Sequence, residues 1–190
     1  MNKSEIIVIL ISSIGSISTA ITAFLIFTQI KSNHDWNRRK TSQEVLNSLT
    51  VGEFPNNLQK LRIAVREKLN QDIQNRQKSY TDFKEVLSAD ELKEYNSIII
   101  KIINILETIS VYVKNSIVDE DICYNFSYTF FIDLYHWLKP YIYECRQLES
   151  NEFILAEYEY FALKWEDRLV NEKNIKYKAK SNIVLPKKKL

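Results

Sequence analysis

The chain is poor in the residues that interrupt helices, since its 190 residues include two glycines and three prolines. With so little glycine and proline, few turns can form, and long helices are predicted. The two glycines, Gly15 and Gly52, are too far apart to build the glycine-rich loops that cradle phosphates. The usual nucleotide-binding folds are therefore excluded.

Histidine and cysteine are equally scarce, with two of each. Asp133 and His136 share a predicted helix face, but no third ligand has suitable spacing, so no metal site is predicted. Cys123 and Cys145 do not form a Cys-x-x-Cys motif, which argues against zinc or redox work. Both lie in apolar helical sequence rather than in a dense, short-spaced framework, which fits a reducing compartment. We expect no cofactor and no catalytic residues, and we do not expect an enzyme.

What the chain does contain is a run of 25 residues without a charged side chain, from Ile6 to Ile30. As a helix this run would be about 37 Å long, enough to cross a hydrocarbon core of about 30 Å. A cleaved signal peptide has a shorter apolar core that ends at a small-x-small site, and the end of this run has no such site. The sequence therefore predicts a transmembrane helix over residues 6–30.

The charges beside this run predict its direction. Lys3 and Glu5 precede it, whereas the flank that follows is more basic and carries Lys31, Arg38, Arg39 and Lys40. Because the more basic flank stays in the cytoplasm, we expect the N-terminus outside and residues 31–190 inside the cytoplasmic membrane. Trp36 suits the headgroup layer, so Trp36, Arg38, Arg39 and Lys40 are predicted to contact the membrane surface.

One side of the predicted span is rich in small and hydroxyl side chains: Ser12, Gly15, Ser16, Thr19 and Ala23. Small residues let helices approach closely, and hydroxyl groups can hydrogen-bond across the contact. Self-association into a homo-oligomer is one interpretation, and a pore lined by these residues is a further step. The alternative is that such residues are common in spans and have no role here.

Charge is segregated along the chain, with +3 over residues 1–40, −7 over residues 41–171 and +6 over residues 172–190. An acidic middle disfavours nucleic-acid binding, which needs a basic folded domain. The basic end, including Lys187, Lys188 and Lys189, could contact an anionic leaflet and so bind membrane lipid. The alternative is a solvated, disordered tail.

The pattern after the span predicts only helices. Residues 36–50 are predicted to continue as a helix after the span and to end near Gly52, with a turn at Phe54–Pro55. Further helices are predicted over 57–71 and 80–87, separated by a polar stretch. No convincing strand alternation occurs, so the fold is predicted to be all-α, a span followed by a bundle of about four to six helices.

A capping-box sequence, Ser88 to Glu91, starts the clearest helix. Its apolar residues follow a heptad spacing: Leu92, Tyr95, Ile99, Ile102, Leu106, Ile109 and Val113. A homo-oligomeric coiled coil is one interpretation. Additional isoleucines widen the apolar surface beyond a narrow seam and favour a helix buried in its own bundle.

The last two predicted helices are rich in aromatic side chains. Asp119 is predicted to cap a helix that Pro140 kinks and that resumes through Arg146. A final helix is predicted over 151–170, with Phe153 on one of its apolar faces. The predicted domains are an outer N-terminus (1–5), the span (6–30), the bundle (31–171) and a basic tail (172–190).

Two polar residues interrupt the apolar helix that follows Ser88. Asn104 and Glu107 are neighbours at three-residue spacing. If Glu107 is covered it needs a cationic partner, because an unpaired buried carboxylate is costly. Arg146 is the predicted partner in this structural polar group.

Several short segments together resemble a known family: Trp36–Lys40 after an N-terminal span, Asn104–Glu107, Asp119–Glu120, Trp137–Ile142, Arg146 and Phe161–Trp165. They are similar to an uncharacterised bacterial family of small membrane-anchored, all-helical proteins with a domain of unknown function. The resemblance implies no agreed activity. Some similar small membrane proteins act in antiphage defence.

Three functions are therefore considered. The first is a single-pass membrane protein whose cytoplasmic bundle binds a protein; as an antiviral, abortive-infection effector it would recognise a phage protein, oligomerise and disrupt the membrane. The second is a passive scaffold that tethers a partner. The third, a membrane-bound enzyme, has the least support because nucleophile and ligand sets are missing.

Overall fold

The computed structural model describes the backbone of residues 3–70 and 78–181, and the side chains of residues 21–70 and 78–174. Within these ranges the chain forms six helices and no strands, which confirms the all-α prediction. The helices are α1 (Lys3–Thr50), α2 (Glu53–Leu69), α3 (Tyr80–Glu85), α4 (Ala89–Lys114), α5 (Glu120–Leu148) and α6 (Ala156–Ser181).

Helix α4 is the core helix of the bundle. Its capping box forms as predicted, with Ser88 and Glu91 each accepting a hydrogen bond from the backbone N–H of the other. The heptad positions from Ile99 to Val113 are buried against α2, α5 and α6. By length and composition alone, α4 could also cross a membrane. Its buried face is what a core helix requires, so the structure agrees with the bundle interpretation.

Aromatic side chains from α5 and α6 fill the rest of the core. The Trp165 ring is fully buried and lies 4.6 Å from Phe131 and 5.8 Å from Tyr124 between ring centroids. The Tyr158 hydroxyl, also fully buried, donates to the Phe131 carbonyl oxygen at 2.9 Å. Helix α5 keeps its helical assignment through Pro140 and ends at Leu148.

Two predicted helix starts are wrong by several residues. Helix α2 begins at Glu53, so the turn lies at Gly52, whose φ of 94° suits glycine. Proline is tolerated in a first helical turn, and Pro55 occupies one here. Helix α6 begins at Ala156 because Leu155 adopts a positive φ of 57°. Phe153, predicted on an apolar face of this helix, precedes it and is 75% exposed.

Helix α6 also continues to Ser181, beyond residue 172, the predicted start of the tail. The predicted tail therefore begins inside a helix. Lys187, Lys188 and Lys189 lie outside the described residues.

Helix α1 has two parts that differ in burial. Among its described side chains, those of residues 21–34 are exposed, and the first buried one is Ser42, followed by Leu46 and Leu49. Large apolar side chains in the outer part are more than half exposed: Ile21, Phe24, Leu25, Ile26, Phe27, Ile30 and Trp36. No break separates the two parts, so one helix leads from the predicted span into the core.

The predicted self-association stripe falls mostly on residues whose side chains are not described. This applies to Ser12, Gly15, Ser16 and Thr19. Ala23 is described and is exposed on α1. Self-association of the span therefore stays a prediction.

Candidate functional site

Three consecutive acidic residues form the N-cap and the beginning of the first turn of α5. Asp119 is the N-cap, and its Oδ1 accepts hydrogen bonds from the backbone N–H groups of Asp121 at 3.0 Å and Ile122 at 3.2 Å. Glu120 and Asp121 follow in the first turn, where the helix dipole favours negative charge. The result is a compact negative site at one end of the bundle.

Helix α1 binds this site through Arg38 and Ser42. The Arg38 Nη2 lies 3.3 Å from Asp119 Oδ2. The buried Ser42 Oγ accepts from the Asp119 N–H at 2.7 Å and donates to the Arg38 carbonyl oxygen at 2.8 Å. One serine thus links the backbones of α1 and α5 at the point where α1 enters the bundle.

Helix α6 binds the same acidic turn from its own side. Lys164 Nζ lies 2.8 Å from Glu120 Oε2, and Trp165 Nε1 donates to Glu120 Oε1 at 3.2 Å. Arg168 Nη1 lies 2.7 Å from Asp121 Oδ1, and its guanidinium lies 3.9 Å from the Tyr124 ring centroid.

We call this site the junction and define it by seven residues: Arg38, Ser42, Asp119, Glu120, Asp121, Lys164 and Arg168. All except the buried Ser42 line one surface pocket. The junction joins the helix that carries the predicted span to both aromatic helices of the core. Its contacts are structural, since cations and a hydroxyl group from α1 and α6 bind one acidic turn of α5 and hold the three helices together.

The junction includes one residue that the sequence predicted at the membrane surface. The Arg38 side chain is 33% exposed and its Nη2 lies 3.3 Å from Asp119 Oδ2, so Arg38 has a partner within the bundle, and its membrane contact stays a prediction. Its Nε is buried without a hydrogen-bond partner among the described residues. Trp36, Arg39 and Lys40 are exposed, with Lys40 Nζ 5.5 Å from the Trp36 ring centroid.

A second polar cluster lies deeper between α5 and α6. Arg146 Nη1 lies 2.7 Å from Glu159 Oε2, and the hydroxyls of Tyr135 and Tyr143 donate to Glu159 Oε1 at 2.6 and 3.2 Å. Burial disfavours the charge on Glu159, but the hydrogen bonds from Tyr135 and Arg146 keep its pKa below the usual value. Arg146 Nε also donates to the Ile154 carbonyl at 2.9 Å.

The predicted direct pairing of Glu107 with Arg146 is corrected by these contacts. Glu107 Oε2 accepts from the Tyr158 backbone N–H at 2.7 Å, while Arg146 binds Glu159. Burial raises the pKa of Glu107, and the Tyr158 hydrogen bond partly offsets that effect. Asn104 is exposed on α4, so it does not join the cluster.

The other candidate ligands lie apart from each other. His136 Nε2 is 2.7 Å from Glu166 Oε2. Cys123 is fully buried, which raises the pKa of its thiol to about 12, and both cysteines are unpaired. In the described ranges, no group of three or more His, Cys, Asp or Glu side chains could hold a metal ion.

Sequence reasoning missed Ser42, Glu159 and Arg168. Ser42 stands four residues after Arg38, a spacing that puts both on one side of a helix, and this was the available signal. For Glu159 and Arg168 the partner lies on another helix, and spacing along one helix gives no information about it.

Comparison with known proteins gives one match. Residues 11–165 match the model of DUF4760, a domain of unknown function. The matched range begins inside the apolar run and includes Arg38, Ser42, the acidic turn and Lys164 of the junction. No curated protein and no solved structure matches the chain. Because the match covers most of its length, the chain belongs to the DUF4760 family of domains of unknown function.

Proposed function

We propose that the protein is a single-pass membrane protein whose cytoplasmic bundle binds a protein partner and passes that event to its span through a rigid junction. In its concrete form it is an abortive-infection effector: the bundle binds a phage component, the chains cluster, and the spans disrupt the membrane. The observation that carries the proposal is the continuity of α1, which runs unbroken from Lys3 to Thr50.

The exposed outer part of α1 supports the membrane location. Seven large apolar side chains between residues 21 and 36 are more than half exposed, and they lie on several sides of the helix. Exposing that much apolar surface to water is unfavourable, whereas a bilayer would cover every side of the helix. The basic flank beyond residue 30 favours a cytoplasmic bundle.

The junction supports transmission rather than simple tethering. A flexible linker would let the bundle move without affecting the span. Here Arg38 and Ser42 fix α1 to the α5 N-terminus, so a movement of α5 or α6 on partner binding would move the helix that leads to the membrane.

A passive scaffold is the second candidate, and the exposed aromatic surface of the bundle favours it. Phe126, Phe153 and Tyr160 are each at least half exposed and offer contact area to a protein partner. A scaffold needs attachment only, so it would work with any linker between span and bundle.

The two candidates are separated by insertions in the exposed part of α1, between Lys31 and Ser32. One variant receives a flexible Gly-Ser segment and its matched control receives an alanine segment of equal length, roughly seven residues or two helical turns. The measurements are growth arrest on expression in bacteria and plaque formation by a panel of phages. The effector proposal predicts that Gly-Ser abolishes toxicity and protection, while alanine preserves them.

Other results would count against the effector. Equal toxicity and protection from both insertions would remove the need for a rigid connection and leave the scaffold. Replacing Ser16 and Thr19 with leucine tests the span separately. Unchanged protection in that variant would rule out membrane disruption through the hydroxyl stripe.

A further inference from the structure

Helix α1 leaves the bundle at the N-terminal end of α5. Ser42 of α1 binds the Asp119 N–H at that end. Further along the chain, Phe54 at the start of α2 packs on Phe130, one-third of the way along α5, with 6.1 Å between ring centroids. Helix α1 therefore runs in the same sense as α5, and its exposed residues before Arg38 project beyond the α5 N-terminus.

Helix α6 runs in the opposite sense and leaves at the same end. Near its start, Glu159 binds Arg146 and Tyr135 in the middle and later part of α5. Near residue 168 it has reached the first turn, where Arg168 binds Asp121. The remaining part of α6, residues 173–181, is about 13 Å of helix directed past the α5 N-terminus.

This projecting part of α6 is strongly basic. It contains four lysines and no acidic residue: Lys173, Lys176, Lys178 and Lys180. Lys173 is exposed. The spacing of Lys173, Lys176 and Lys180 by three and four residues puts them on one side of the helix. The basic flank of α1, with the exposed Arg39 and Lys40, projects from the same end of the bundle.

We propose that residues 173–181 of α6 form a second membrane attachment, which binds the anionic headgroups of the leaflet next to the bundle. The inference rests on the proposed membrane location of α1. Two antiparallel helices leave this end of the bundle, and the segment of each that projects beyond the acidic turn of α5 is rich in basic residues. Lysines near an anionic leaflet are attracted within a Debye length, and the attraction weakens with salt. Attachment at two points fixes the orientation of the bundle as well as its position.

The test uses the full chain in proteoliposomes, with an environment-sensitive fluorophore on Ser181→Cys. Cys145 is replaced by serine, and the fully buried Cys123 is retained because it is inaccessible to the label. Vesicles of phosphatidylcholine alone are compared with vesicles of phosphatidylcholine and phosphatidylglycerol in equal amounts. We expect a blue-shifted emission only with phosphatidylglycerol, and its loss when salt reduces the Debye length from about 8 Å to about 3 Å.

Charge reversals identify the residues responsible. Lys176→Glu with Lys180→Glu should return the emission to its value in neutral vesicles. Removing two lysines alone should weaken docking roughly 25-fold, at about fivefold per lysine. The matched control, Lys60→Glu with Lys93→Glu, reverses two exposed charges on α2 and α4 and should leave the emission unchanged.

The outcomes separate this inference from the proposed membrane location. Flotation with neutral vesicles after alkaline extraction reports insertion of α1. Protein that floats but shows no response to phosphatidylglycerol overturns the second attachment and leaves the span. Protein that fails to float overturns both. An equal response in the two double variants overturns the assignment to α6.

Discussion

Glu159 and Glu107 are partly buried carboxyl groups in the same part of the bundle whose pKa values shift in opposite directions, although burial raises the pKa of both. Glu159 is held by a guanidinium and two phenol hydroxyls, so its charged form is favoured. Burial raises the pKa of Glu107, and the backbone N–H groups of Tyr158 and Glu157 and the more distant charge of Arg146 offset that effect only in part. Hydrogen bonding and charge partners, rather than depth alone, decide the protonation preference.

Replacement of Glu159 by glutamine should destabilise the protein at neutral pH. The folded pKa of Glu159 is below the usual 4.5, so its ionised form stabilises the fold above that value. This contribution is lost as pH falls through the lowered pKa. We expect Glu159→Gln to cost about 2 kcal/mol at pH 7, typical of a hydrogen bond to a charged group, measured by urea unfolding. The difference from the parent chain should shrink as pH falls below 4.5.

The control, Glu107→Gln, should show the opposite sign. The folded pKa of Glu107 is raised, so its ionisation opposes folding at neutral pH and this cost disappears in acid. Glutamine can still accept from Tyr158, and the variant should be at least as stable as the parent at pH 7. Parallel pH profiles for the two variants would contradict the assigned environments.

These partners mark the limit of sequence reasoning at this scale. The spacing of Asn104 and Glu107 predicted that they are neighbours on α4, and the wide apolar surface predicted that part of this face is covered; Glu107 is half-buried there. The choice of Arg146 as its partner was wrong because Glu159 lies on α6 and competes for the same guanidinium. Whether Arg146 binds Glu107 or Glu159 depends on how α4, α5 and α6 pack against each other.

Whole helices were more predictable than single contacts. Helix α4 was predicted well because its capping box and its heptad spacing are local signals that agree with each other. The predicted start of α6 was wrong because Leu155 adopts a positive φ. Leucine rarely adopts this conformation, so the residue type gives no sign of it. The start of α2 was misplaced because Phe54–Pro55 suits a turn and also suits a first helical turn.

The connection between α1 and α2 depends on the backbone conformation of Gly52. Its φ of 94° and ψ of −144° lie in a region that is essentially restricted to glycine. A Cβ there would meet no atom within 4 Å, so the cost of Gly52→Ala is backbone strain alone. We expect a loss of about 2 kcal/mol and a fall in Tm of about 4–8 °C, measured by thermal unfolding.

The neighbouring Val51→Ala variant is the control for this change. Val51 is 72% exposed, so its truncation should change stability by no more than about 0.5 kcal/mol. A Gly52→Ala chain as stable as the Val51→Ala chain would show that the hairpin can adopt another turn.

At the scale of the whole molecule, α1 belongs to two environments. Its outer part contributes no buried side chain among residues 21–41, whereas Leu46 and Leu49 are core residues. A chain of residues 31–190 should therefore fold cooperatively without detergent. A chain of residues 51–190 also loses both leucines and should be less stable by roughly 4 kcal/mol or more, since each buried leucine contributes at least about 2.

Urea unfolding of the two shortened chains measures this difference under identical conditions. Equal midpoints would mean that α1 is only an anchor, and the coupling proposed through Arg38 and Ser42 would lose its basis. A chain of residues 31–190 that fails to unfold cooperatively would mean that the outer part of α1 supports the bundle.

The exposed stretch of α1 between the apolar run and Ser42 also sets the distance between the membrane surface and the bundle. Residues 31–41 measure about 16 Å along the helix, or about two screening lengths at physiological salt. Residues 41–171 carry a net charge of −7, which an anionic leaflet would repel at close range. In the proposed orientation, residues 31–41 of α1 act as a spacer that keeps the acidic bundle beyond the reach of the surface potential. The lysines of α6 extend into the space between the bundle and the membrane.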